Sequence, residues 1–129
     1  MNNKSTEVSH VRSYQDLEVW QKAMTLAKES YQATKSFPSE ERFGLVNQMR
    51  RAAVSIPSNL AEGHTRTGAN EFRRFISIAM GSVAELETQV TLSHELEYLN
   101  VKNKSDLLKQ LAIVGKMLRG LYKALGAKS

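Results

Sequence analysis

From Leu17 to Leu125 the apolar residues recur at steps of three and four, and only two prolines and six glycines interrupt them. That period matches the 3.6-residue turn of an α-helix and excludes the strict alternation of a half-buried strand. Helix formers dominate between the interruptions, so the chain reads as all-α. Its 129 residues suit one domain with a core of its own.

The interruptions divide the chain into four helices. Asp16 is an N-cap residue for a first helix reaching Lys35, with one apolar stripe through Leu17, Trp20, Met24, Ala27 and Tyr31. A second stripe runs through Val19, Ala23, Leu26, Ser30 and Ala33, about 200° away. Phe37-Pro38-Ser39 ends this helix, and Ser39 with Glu40 and Glu41 suits the start of the next. The second helix carries Val46, Met49, Ala53, Ile56 and Leu60 on one stripe. Pro57 falls inside it, removing a backbone hydrogen bond and crowding the carbonyl of Ala53. Because the stripe survives on both sides, a kinked helix to Glu62 is expected rather than two helices.

Residues 63–70 form a loop, and a third helix is expected from Asn70 to Leu99. Ser105 is an N-cap candidate for the fourth, in which Gly115 and Gly120 imply close backbone approach. Short connections favour an antiparallel four-helix bundle over residues 14–129, preceded by a disordered leader over residues 1–13. The first, third and fourth helices carry more apolar surface than an isolated bundle needs, which points to a second surface between subunits.

Several chemistries find no support. The chain has no cysteine, which excludes disulfides and thiolate metal sites and fits a reducing cytoplasm. No apolar run approaches the roughly 20 residues of a membrane span. His10, His64 and His94 are scattered, and no Glu is followed three residues on by His, the pairing a di-metal bundle uses. Residues 63–68, Gly-His-Thr-Arg-Thr-Gly, lack the ending of a phosphate loop. No serine stands in a nucleophile elbow. Neither a metal, a cofactor nor a catalytic residue is expected.

Two groups of polar residues remain. Around Pro57 lie Arg51, Ser55, Asn59 and Glu62, with Ser82 and Glu85 expected opposite on the third helix. They read as a structural cluster that satisfies groups disturbed by the proline, with a ligand pocket as the alternative. The second group is basic. Residues 100–129 carry seven positive charges and one negative, whereas residues 78–99 carry four negative charges alone. Lys109, Lys116 and Lys123 repeat every seven residues and share a helix face, with Lys102, Lys104 and Arg119 on the same segment. Arg66, Arg73 and Arg74 flank the loop between helices two and three. These nine residues are candidate contacts to RNA or DNA. The alternatives are a solvated face, or neutralisation of Glu85, Glu87, Glu95 and Glu97 on a neighbouring helix or subunit. Trp20, Tyr31, Phe72 and Phe75 fall on apolar stripes and read as core.

Four stretches resemble one known family. They are Tyr14-x-x-Leu17-x-Val19-Trp20-Gln21-x-Ala23, Phe37-Pro38-x-Glu40-Glu41-Arg42-x-Gly44-Leu45, the run from Arg50 to Gly63, and Phe72-x-x-Phe75-Ile76 continuing to Gln89. Together they resemble the four-helix-bundle proteins encoded within intervening sequences of bacterial 23S ribosomal RNA genes. The pattern departs at His64, where tyrosine is more usual. The resemblance implies an antiparallel bundle, a ring-like homopentamer and no catalytic activity. A distant branch resembling this fold serves diversity-generating retroelements, where a basic pentamer engages a reverse transcriptase and RNA. Two functions follow as expectations: a component of a ribonucleoprotein that binds RNA or DNA through a basic surface, or an adaptor ring for a protein partner such as a reverse transcriptase.

Overall fold

The structure, a computed structural model, describes residues 13–127. Most of the expected leader, with His10, lies outside the described residues. Four helices make up the fold: α1 (Glu18–Thr34), α2 (Leu45–Thr65), α3 (Ala69–Glu95) and α4 (Val101–Gly126), and there are no strands among the described residues. Short 3-10 turns at Tyr14–Asp16 and Ser39–Glu41 precede α1 and α2.

Contacts far apart in sequence set the topology. Ser55 meets Ser82, Gly63 meets Phe75 and Met49 meets Ser93, so α2 and α3 run antiparallel. Arg73 meets Tyr122 and Gly115 approaches Val83, which makes α3 and α4 antiparallel as well. α1 packs against α2 and α4 and closes a four-cornered bundle with α2 and α4 on opposite corners. The centre is filled by Leu26, Met49, Ile56, Leu60, Ile76, Leu86, Leu111 and Leu118, all fully buried. Each large aliphatic side chain so buried contributes about 1.5–3 kcal/mol.

α2 is continuous across Pro57, as the unbroken stripe requires, and the proline itself is buried. Several helix ends differ from expectation. Asp16 does not cap α1; it belongs to the 3-10 turn that Ser13 caps, and Leu17 is the first flanking residue. Ser39 starts a 3-10 turn, and Gly44 delays α2 until Leu45. α3 stops at Glu95, because Glu97 enters the left-handed region at φ 66° and turns the chain. α4 begins earlier than expected, since Asn100 rather than Ser105 is its N-cap, its side chain accepting the N–H of Asn103 at 2.8 Å.

Two helices approach closely at Gly63. A Cβ there would lie 2.6 Å from Cβ of Phe75, so only glycine lets α2 and α3 meet at this level. Gly115 is buried beside Val83, but a Cβ there would make only ordinary contacts, at 3.4 Å to the Arg119 guanidinium and 3.7 Å to the Val83 side chain, so the expected close backbone approach is not found. Nor is it found at Gly120, which is exposed and where a Cβ would meet nothing within 4 Å.

Candidate nucleic-acid interface

Ser55 and Ser82 join α2 to α3 through a 2.8 Å hydroxyl–hydroxyl hydrogen bond. Asn59, one turn further along α2, donates its amide to the Ser55 carbonyl at 2.8 Å and to its hydroxyl at 2.9 Å. These three of the six residues expected around the proline come together. Glu62 instead faces outward and forms a 2.7 Å ion pair with Arg66, its side chain 52% exposed. Arg51 and Glu85 are exposed, and neither is in an ion pair among the described residues. Half-buried Arg50 belongs to another contact. It donates to the Thr34 hydroxyl and the Tyr31 carbonyl of α1 at 2.9 and 3.2 Å. Its guanidinium lies 4.5 Å from the centre of the Tyr31 ring.

Tyr31 corrects the expectation that the aromatics are core: it is 41% exposed and serves as a platform for Arg50. Trp20 and Phe72 are half-buried, and Phe75 is buried.

The basic residues divide by position and by engagement. Arg66 and Arg74 both lie over the ring of Phe75, at 5.1 and 4.6 Å, and each has an acidic partner one turn away, Glu62 and Glu71. Arg73 is half-buried; it donates to the Tyr122 carbonyl at 3.1 Å and stacks 4.0 Å over that ring. Each of the three arginines thus has an intramolecular role. Arg119 is exposed, and its guanidinium would sit 3.4 Å from a Cβ at Gly115, so it folds back along α4.

Lys102, Lys109, Lys116 and Lys123 are exposed and share the outer face of α4. Lys104 is half-buried. Lys102 is held by Asp106 at 2.8 Å. This bond lowers the Asp106 carboxyl below its ordinary range, with Lys109 adding a weaker pull, and raises the Lys102 ammonium above its own. Lys109, Lys116 and Lys123 are in no ion pair among the described residues, and none reaches Glu85, Glu87, Glu95 or Glu97 of its own chain. The nine basic residues do not form one patch. Lys102 and Lys123 are about 31 Å apart at 1.5 Å per helical residue. The Arg73–Tyr122 contact places Arg66, Arg73, Arg74, Arg119 and Lys123 toward one end of the bundle.

At the opposite end Glu41 ties two connections together. Its carboxylate accepts the Leu45 N–H at 3.2 Å, capping α2, and the Tyr98 hydroxyl at 3.0 Å. That hydrogen bond to a carboxylate raises the Tyr98 phenol above its ordinary value. No sequence motif marks this pair, because its members lie 57 residues apart. No group of three or more His, Cys, Asp or Glu able to hold a metal occurs among the described residues. No described helix is long and apolar enough to cross a membrane.

A bundle joined by a polar α2–α3 seam, with Lys109, Lys116 and Lys123 of its last helix in no ion pair among the described residues, defines a small all-helical protein. Residues 15–120 match the family described as 23S rRNA-intervening sequence protein, and the chain belongs to that family. A crystal structure of a protein of unknown function from the S23 ribosomal protein family of Bacteroides thetaiotaomicron has the same fold. It is 22% identical in sequence, with a TM-score of 0.76 over 81% of this chain and 95% of that one. No curated protein matches the chain.

Proposed function

We propose that this protein is a non-enzymatic, self-associating bundle that binds RNA or DNA through the outer face of α4, as part of a ribonucleoprotein. One observation carries the reading: Lys109, Lys116 and Lys123 stand in a line, exposed, and are in no ion pair among the described residues. Unpaired ammonium groups at about 10.5 Å intervals suit phosphate contact, which is insensitive to base sequence. Arg66, Arg73 and Arg74, already engaged within the bundle, would contribute less than these lysines. Assembly repeats the face in each subunit and multiplies weak attraction; a ring of five is the expectation that the family resemblance supplies.

The test replaces Lys109, Lys116 and Lys123 together by glutamine. Binding of labelled duplex RNA and duplex DNA is followed by anisotropy across a salt series. The parent should bind at about 50 mM salt and lose affinity steeply as salt rises. If all three lysines contact phosphate, the log–log salt slope on DNA should fall by about 2.7 in the variant. A parent that binds neither nucleic acid at low salt refutes the reading. The adaptor function, with a protein partner such as a reverse transcriptase, would then be tested by direct binding.

A further inference from the structure

Proteins that hold a single strand of nucleic acid without reading its sequence need two things. Cations follow the backbone, and aromatic rings stack successive bases. This chain has the cations, but its rings are committed to other contacts. The one aromatic side chain of α4 is Tyr122, half-buried, with the Arg73 guanidinium 4.0 Å over its ring. Arg66 and Arg74 lie over Phe75, and Arg50 lies over Tyr31. Tyr14 meets Trp20 edge to face, as His64 meets Phe72, and Phe37 packs against Tyr98. The remaining ring is Phe43, 85% exposed in the connection between α1 and α2, with Arg42 at 5.9 Å. One ring can stack one base and cannot form a track.

The cations, by contrast, form a line. Lys102, Lys109, Lys116 and Lys123 recur every seven residues, so each stands about 10.5 Å from the next along α4 and about 20° from it around the axis. The line is nearly straight over about 31 Å. Exposed Arg119 lies on one flank of it. Asp106, already paired with Lys102, is the one acidic residue of α4. From Leu107 to Gly126 the helix therefore offers positive charge alone.

We propose that the ligand of this face is a double helix, of RNA or of DNA, and not a single strand. This rests on the phosphate contact proposed above and names the form of the nucleic acid. Duplex DNA stays straight over the length of α4, since its persistence length is about 150 base pairs. It carries one charge per about 1.7 Å of axis, so phosphates reach a straight row of ammonium groups without being ordered first. A flexible single strand must be immobilised along the row, and no ring on α4 is free to stack its bases in return. Counterion release acts in the same direction, with a salt slope of about 0.9 per phosphate contact on a duplex and about 0.7 on a single strand. Three lysine contacts give log–log slopes of about 2.7 and 2.1; from equal affinity at about 1 M salt, the duplex is favoured about sixfold at 50 mM.

The experiment measures anisotropy of four labelled probes with the full chain at about 50 mM salt, where phosphate contact is strong. The probes are a blunt RNA duplex of about 20 base pairs, longer than the lysine line, its DNA counterpart, and one strand of each chosen free of self-pairing. At least one duplex should bind about sixfold more tightly than its own strand, and the comparison of the two duplexes identifies RNA or DNA. The preference should shrink as salt rises, because the two slopes differ. Phe43→Ala should leave duplex affinity unchanged, since that ring takes no part. Single strands bound as tightly as both duplexes overturn the assignment. So does a loss of binding in Phe43→Ala, which would show a base stacked on the exposed ring. A parent that binds none of the four probes refutes nucleic-acid binding itself, whereas a parent that binds without preferring a duplex refutes only the form assigned here.

Discussion

Asn59 ties one turn of α2 together across Pro57. Proline deprives the Ala53 carbonyl of its helical donor, and two residues later the Asn59 amide reaches back to both oxygens of Ser55. Replacing Asn59 by alanine removes both bonds, though Ser55 keeps Ser82. The expected loss is about 1 kcal/mol, typical of a half-buried neutral hydrogen-bonded group. Glu62→Ala should change stability by less than about 0.5 kcal/mol, because Glu62 is exposed and its ion pair with Arg66 is a surface one. Urea midpoints followed by circular dichroism would check the contrast; equal losses would contradict it. Only half of the polar cluster was legible in the sequence. Serine and asparagine near a helical proline have obvious backbone work to do. Whether Arg51, Glu62 and Glu85 turn inward or outward depends on helix azimuth, which polar residue types do not encode. The basic residues present the same problem: sequence displays nine charges, but Phe75 and Tyr122 decide that three arginines are already engaged.

Along the helices, glycine separates two physical situations. Gly63 lies where α2 crosses α3, and a methyl group there would strike Phe75 at 2.6 Å. Gly63→Ala gains helix propensity of up to about 1 kcal/mol but forces the two backbones apart, and overpacking of this kind costs about 1–3 kcal/mol. Net destabilisation is expected. Gly120→Ala meets no neighbour within 4 Å and should raise stability by about 0.5–1 kcal/mol. Thermal unfolding of the two variants should move the midpoint in opposite directions, and a shift of the same sign in both would refute the distinction. Helix periodicity reveals neither case, since the clash depends on a residue twelve positions away. Boundaries were partly hidden for a related reason. Asn100 and Ser105 are both competent caps, and the positive φ of Glu97, which ends the preceding turn, leaves the earlier one in place. The interior of each helix was legible throughout, because burial imposes the apolar period directly.

At the scale of the whole molecule, the bundle separates its apolar surplus from its unpaired positive charge. Met24, Tyr31, Val54, Ile78, Leu92 and Leu96 flank α2, whereas Lys109, Lys116 and Lys123 lie along α4 at the far corner. The two surfaces rest on different forces, so salt should separate them. Attraction to phosphate depends on counterion release and weakens by orders of magnitude between about 50 and 200 mM salt when six or more phosphates are contacted. Burial of apolar side chains is not screened. The expected outcome is an assembly whose mass is unchanged at about 0.5 M sodium chloride, where nucleic-acid binding is lost. The triple lysine-to-glutamine variant should keep the parent's mass at every salt concentration. Light scattering and anisotropy on the same samples would measure both quantities. If the mass falls with salt, or with loss of the three lysines, then those lysines join subunits by meeting acidic residues such as Glu85 or Glu95 of a neighbour, and α4 is a contact between copies rather than a nucleic-acid surface.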